Sequence, residues 1–363
     1  MSTTVNRTEL VAALRALRPL ATRTTLPVLA NVHIEAEEKH QLSLVTTNLE
    51  QYAKRYVAFE GDSFEAITVP AKAFSDFAAG FSGDTIDLTL DGNKLRLKSG
   101  RQKASLGITP AEEFPAFATQ DSAHSFTLTR DEFDRNVSRV TGFAANDTAR
   151  PILTGVSVVG DGEQIRFAAA DNYRIGVATV DHPAKIEAVF PAIAFTHASK
   201  VLEGDHVSVT VDGRTAMFAS TKGTLVTRLI EGQYPNILPV LPTDFKATVL
   251  VSQEELEQAA KLSGVVSNGA NIVQFEETNE GLRLHTRDDT TDFDMTLEAT
   301  YGAGKDGNVN IALNQKYVQA VAVVLGDSTL VELGWNGPLQ PIAFRDPDDL
   351  TFRAVIMPVR TAS

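Results

Sequence analysis

Few residues of this 363-residue sequence stand where their types and spacing could perform chemistry. It contains no cysteine, which excludes disulfides, thiolate metal sites and thiol nucleophiles together. The seven histidines are scattered singly and form no spaced metal pair. No glycine-rich phosphate loop, Gly-x-Ser-x-Gly elbow or His-Glu-x-x-His occurs. The stretch from Asp288 to Asp294 resembles a calcium loop superficially, but it lacks the alternating ligands and the glycine, and reads as an acidic loop entering a strand. Asp171 and Arg174 have side chains that could serve catalysis, yet no nucleophile or second base lies near them in sequence. The reading is a binding protein with no catalytic residue, no metal and no cofactor.

The elements that would position a binding surface announce themselves by repetition. Asn6-Arg7-Thr8-Glu9, Thr129-Arg130-Asp131-Glu132 and Ser252-Gln253-Glu254-Glu255 each place a capping residue three positions before a Glu, a pairing that satisfies orphan donors at a helix start. The apolar residues that follow, Leu10, Phe133 and Leu256, are spaced 123 residues apart each time. Three boxes in equal register indicate a triplicated domain. Leu10, Leu14 and Leu17 fall on one helical face, as do Phe133, Val137 and Val140. A second helix follows in each copy. Pro70 and Pro191 open it in the first two, with Phe74, Phe77, Ala78 and Phe81 as a buried stripe, Phe195 and Leu202 matching Phe74 and Phe81, and Tyr317 in the Phe74 position of the third. Alternating segments and Asp91-Gly92 and Asp212-Gly213 turns supply hairpin strands around these helices.

The expected fold is therefore α+β, with three repeated domains at 1–121, 122–246 and 247–363, each carrying two helices on antiparallel sheets. Three domains in line form an arc, and two arcs can close a ring head to tail.

The formal charge of −13 argues, taken alone, against a nucleic-acid partner. The distribution of charge argues otherwise. Arg15 lies opposite the Leu10 stripe and is equivalent to Lys261 in the third copy; Arg18 flanks it, and Arg135 and Arg139 lie away from Phe133. Lys72, Lys200, Lys316, Arg23 and Arg150 could join them, while acidic residues crowd into loops. If the helices line a hole, a net acidic protein presents a basic channel that contacts phosphates without reading bases. A polar N-terminus and no apolar run near the ~20 residues of a membrane span imply a soluble cytoplasmic chain.

Several segments carry a resemblance. These are Arg150-Pro-Ile-Leu-Thr-Gly155, Asp171-Asn-Tyr-Arg-Ile-Gly176, Leu229-Ile-Glu-Gly-Gln-Tyr-Pro235 running to Val240-Leu-Pro242, Val355-Ile-Met-Pro-Val-Arg360 and Thr25-Leu-Pro-Val-Leu29. Together, in this order and chain length, they resemble the bacterial DNA polymerase III beta subunit, the sliding-clamp family. The resemblance implies three clamp domains forming half of a closed ring, a head-to-tail homodimer around duplex DNA, and loading by an ATP-driven loader. It also implies a groove for short peptides of polymerases, loader and repair proteins, with no membrane partner. By motif position the groove would use Leu153, Asn172, Tyr173, Arg174, Ile175, Pro235, Val240, Val355, Met357, Pro358, Val359 and Arg360. Ring closure would set Arg101, Lys103 and Leu106 against Val265, Val266, Asp292 and Asp294. Two departures stand out: Asn172-Tyr173-Arg174 where the family often has Gly-His-Arg, and the added Thr361-Ala362-Ser363 tail. The alternatives are an enzyme of nucleotide or polyphosphate metabolism on repeated α+β domains, and a ring scaffold that does not bind DNA.

Overall fold

A computed structural model describes residues 2–21, 26–37, 40–116, 124–147, 149–266, 271–302 and 310–360. Arg23 and the tail from Thr361 to Ser363 lie outside the described residues. Six α-helices of ten or more residues are present among them: Arg7–Leu17 (α1), Ala71–Gly80 (α2), Arg130–Thr141 (α3), Ala192–Val201 (α4), Gln253–Val266 (α5) and Gln315–Val324 (α6).

The odd-numbered helices start one residue after the three predicted caps, but the caps differ in strength. At α3 both bonds form: the Thr129 N–H donates to Glu132 Oε2 at 2.9 Å, and the Glu132 N–H to Thr129 Oγ1 at 3.2 Å. At α1 only the Glu9 N–H to Asn6 Oδ1 bond forms, at 3.1 Å, and at α5 the Glu255 N–H reaches Ser252 Oγ at 3.4 Å. Pro70 and Pro191 occupy the capping position rather than the first helical turn, so neither can supply a side-chain cap. Phe74, Ala78 and Phe81 are buried as expected, whereas Phe77 is an exposed hydrophobic residue. Phe77 sits about 60° from Phe74 around the helix, at the margin of the stripe.

The chain divides into two compact units, Met1–Asp134 with Phe190–Glu231, and Arg135–Val189 with Gly232–Ser363. In the first unit the strands join into one 13-stranded sheet. Its strand Gln51–Gly61 pairs with Thr3–Asn6 and, from the second repeat, with Gly223–Arg228. Beside this junction the Arg55 side chain is almost wholly buried; its guanidinium donates to the Val201 carbonyl at 2.9 Å and pairs with Glu203. Phe133, Phe190, Phe195 and Phe218 pack as tilted and edge-on rings with centroids 5.3–6.1 Å apart.

The second unit holds a nine-stranded and a four-stranded sheet. In the larger one, Arg174–Asp181 of the second repeat pairs antiparallel with Phe352–Ile356 of the third. Main-chain ladders thus cross the repeat boundaries, and the second repeat contributes to both units. The helices α5 and α6 are tied by glutamine amides: Gln315 Nε2 donates to the Ala260 carbonyl at 2.5 Å and Gln253 Nε2 to that of Ala322 at 2.8 Å.

Candidate functional site

The residues assigned to a groove converge in the second unit, where strand Arg174–Asp181 meets Phe352–Ile356. Asp171 lies just before the first of these strands. Its Oδ1 accepts the N–H groups of Tyr173 and Arg174 at 2.8 and 2.9 Å, an Asx turn that aims the chain into the sheet. Its Oδ2 accepts Arg174 Nε at 2.9 Å. The Arg174 guanidinium also lies 4.5 Å from the Tyr317 ring centre and 5.5 Å from that of Phe143. Gly176 permits this packing, because a Cβ there would stand 2.5 Å from the Phe143 ring.

The register places Ile175 opposite Val355, and both are buried in a cluster with Ala168, Ala170, Val177, Leu241 and Ala343. Leu153, on the short turn Pro151–Thr154, is buried as well. These form a floor. Exposed apolar groups stand above it: Tyr173 at 57 % exposure, Val240 at 44 % and Met357 at 36 %, joined by Leu238. The Met357 N–H donates to the Tyr173 carbonyl at 2.7 Å, and the Val359 N–H to that of Ala312 at 2.7 Å, which hold the C-terminal segment against the unit. Pro358 and Val359 are partly buried; Asn172, Pro235 and Arg360 are exposed.

Two expectations need correcting. Arg174 is less open than a free cation: its side chain is 11 % exposed, with Nε held by Asp171 and the guanidinium set against two rings. Tyr317, read as a buried helix residue equivalent to Phe74, stacks on Tyr173 with centroids 6.4 Å apart and planes 27° from parallel. A tyrosine where the other copies have phenylalanine was the signal, since its hydroxyl favours a partly wet position. Tyr234 also escaped the sequence reading. The Ala170 N–H donates to its Oη at 2.9 Å, and burial pushes its hydroxyl up to about 12.

The basic residues are on helices and their flanking turns. Arg15, Lys72 and Lys200 of the first unit and Arg135, Arg150, Lys261 and Lys316 of the second are exposed. Arg18 and Lys72 share one carboxylate, Asp76, at 3.2 and 2.6 Å. Arg139 departs from the expectation of a free cation: it pairs with Asp349 at 2.6 Å and lies 5.5 Å from the Phe352 ring centre, leaving its side chain 11 % exposed. For Asp349, burial favours the neutral form, but the Thr351 hydroxyl and Arg139 outweigh it and hold the carboxyl at about 2.

The residues assigned to ring closure occupy two sheet edges and, for Val265 and Val266, the end of α5. Gln102–Gly107 is the terminal strand of the first unit's sheet and carries Lys103, with Arg101 exposed in the turn before it. Asp292–Leu297 is the terminal strand of the four-stranded sheet. Asp294 pairs with Arg283 and Asp292 with Arg287 across that hairpin, which accounts for the acidic stretch without a cation. Leu106 and Val266 are buried against their own cores, whereas Val265 is 78 % exposed. Among the described residues no group of three or more His, Asp or Glu is arranged to hold a metal, and no helix is long and apolar enough to cross a membrane.

Comparison with known proteins bears on this geometry. Family models for the N-terminal, central and C-terminal domains of the DNA polymerase III beta subunit match residues 1–118, 127–236 and 239–360. The chain is 27 % identical to the beta sliding clamp of Vibrio cholerae, over 99 % of this chain and all of that one, and 24 % identical to the Bacillus subtilis clamp with the same coverage. Its fold superposes on a Pseudomonas aeruginosa sliding clamp bound to griselimycin with a TM-score of 0.90 at 24 % identity, covering 99 % of this chain and 100 % of that one. The Thermotoga maritima beta subunit gives 0.89 at 23 % identity, with both chains fully covered. With three models of one family matching in order from residue 1 to 360, the chain belongs to the DNA polymerase III beta subunit family.

Proposed function

We propose that this protein is a DNA sliding clamp, a non-catalytic processivity factor that encircles duplex DNA as a homodimeric ring and tethers the replicative polymerase. The observation that carries this reading is the ordered match of one family's three domain models along the chain. Clamp domains at 1–121, 122–246 and 247–363 supply the helices, and the exposed cations Arg15, Arg18, Lys72, Arg135, Arg150, Lys200, Lys261 and Lys316 meet phosphates. Sequence-independent contact suits this set, because lysine and arginine on helix surfaces neutralise charge without reading bases. The basic edge at Arg101 and Lys103 and the acidic edge at Asp292 and Asp294 suit a head-to-tail seam between two copies, with Val265 as its apolar contact.

The exposed rim of Tyr173, Val240 and Met357 over the Leu153, Ile175 and Val355 floor receives short apolar peptide segments of the polymerase, the clamp loader and repair proteins. Apolar anchors over a sealed floor are how small grooves hold extended peptides. The protein acts in the cytoplasm and needs no cofactor of its own.

The test is retention on DNA. Loaded by its loader, the protein stays on a nicked circle and leaves the same DNA once it is cut to a linear form. Equal retention on both would refute a topological link.

A further inference from the structure

Beside the groove, the same sheet face changes character over two side-chain rows. The first row is Ala170, Ile175 and Val355, sealed by the loop residues Leu241, Ile237 and Phe245. One row on, about 7 Å along the strands, Ala168 and Val177 are followed by Arg353. The next row pairs Arg166 with Thr179, whose N–H donates to the Thr351 carbonyl at 2.8 Å. A cavity of 370 Å³ opens over Arg166, Val177, Thr179 and Arg353, walled by Leu238, Leu241 and Thr243 of the loop. Leu238 and the rim residue Val240 belong to one short turn, Leu238–Val240, so cavity and groove share a wall.

The lining contains two guanidinium groups and no carboxylate. Asp181, opposite the lining residue Gln164, stays outside the lining, and two other nearby acids are occupied elsewhere. Asp349 is held by Arg139 and by Thr351. Asp161 feels the charge of Arg166, but its Oδ1 accepts the N–H groups of Glu163 and Gln164 at 2.9 and 3.0 Å. Neither Arg166 nor Arg353 has an ion-pair partner within 4.0 Å among the described residues. The cavity is at the small end of ligand clefts, ~300–1,000 Å³, which fits a few peptide side chains and not a folded domain.

We infer that this chamber is an extension of the peptide groove that takes acidic residues flanking the apolar anchor of a partner peptide, with Arg166 and Arg353 pairing their carboxylates. The inference rests on the groove reading above. Continuity of the two sites across one turn supplies the reach. Two unpaired planar cations supply the chemistry, since guanidinium matches carboxylate geometry with two parallel hydrogen bonds.

The test uses two short fluorescein-labelled peptides with the same central Leu-Phe pair, one flanked on both sides by Asp-Asp and the other by Ser-Ser. Anisotropy titration of the full-length protein should show the acidic peptide binding about fivefold more tightly at low salt, the scale of partly exposed charge pairs. The difference should shrink as salt screens it. In the double variant Arg166→Gln, Arg353→Gln the advantage should vanish while the Ser-flanked peptide binds as before; Arg166→Lys, Arg353→Lys, which keeps both charges, should retain part of it. Equal affinities in the parent protein, or an advantage that survives the glutamine variant, would overturn the inference and leave the groove intact. If Val240→Asp releases neither peptide, the groove reading itself fails and takes this inference with it.

Discussion

Arg174 separates two roles that sequence alone could not tell apart. If it touches the bound peptide, Arg174→Ala weakens binding and leaves the fold unchanged. The structure assigns it to positioning, so truncation should injure both. Arg174 and Asp171 are 11 % and 15 % exposed, paired at 2.9 Å. Removing one partner of a fully buried pair costs ~3–5 kcal/mol. Here Asp171 keeps two backbone donors, from Tyr173 and residue 174, which lowers the cost. Loss of the stacking on Tyr317 adds ~0.5–1 kcal/mol. The sum is about 2–3 kcal/mol, which for a unit of this size lowers the melting temperature by about 5–10 °C.

The assay is a thermal melt beside a peptide titration. Arg174→Ala should lower the melting temperature of the second unit and weaken peptide binding together, because the Tyr173–Tyr317 stack loses the cation beneath it. Asp171→Asn, which cannot touch a peptide through the buried pair, should reproduce both effects in milder form. An Arg174→Ala protein with an unchanged melt and lost binding, or a neutral Asp171→Asn, would refute the positioning role.

Other expectations follow from the same contacts. Gly176→Ala drives a methyl into the Phe143 ring and should destabilise by ~1–3 kcal/mol, measured by urea unfolding; an unaltered midpoint would show that Phe143 moves freely. The Asp349 carboxyl is held at about 2, below its ordinary value of 3.8. Its contribution to stability is therefore complete above about pH 4 and lost as pH falls toward 2. Asp349→Asn should flatten the stability curve in that window and lower stability at neutral pH; a curve that parallels the parent down to pH 2 would contradict this. Val265→Asp puts a charge on the exposed apolar residue of the proposed seam and should shift the species seen by sedimentation from two chains toward one chain of 39.2 kDa. An intact dimer would place the seam elsewhere.

Local chemistry made much of this molecule legible. The caps at Asn6, Thr129 and Ser252 fix where three helices begin, because a helix start must satisfy its donors within one turn. The apolar phase of Phe133, Val137 and Val140 likewise fixes the inward face of α3. What stayed hidden are partnerships between residues far apart in the chain. Nothing near Arg139 in sequence points to Asp349, 210 residues away, so an arginine on an outer helical face read as free. The pairing of Arg174–Asp181 with Phe352–Ile356 escaped for the same reason: strand alternation reports which face is buried, not which neighbour completes the ladder. Leu106 and Val266 show the limit of apolarity as a guide, since a leucine on an edge strand can serve its own core as well as a partner's.

That last ladder has a consequence during synthesis. Strand Arg174–Asp181 leaves the ribosome before Phe352–Ile356 exists, with roughly 170 residues still to be made. At ~5–20 residues per second its open side waits for about ten to thirty seconds. Throughout that interval the nascent chain presents an unpaired edge and the apolar side chains Ile175 and Val177, which in the finished unit lie buried. Strand Phe352–Ile356 is thus also the cover that closes this edge, and a chain released short of it would carry that edge unpaired.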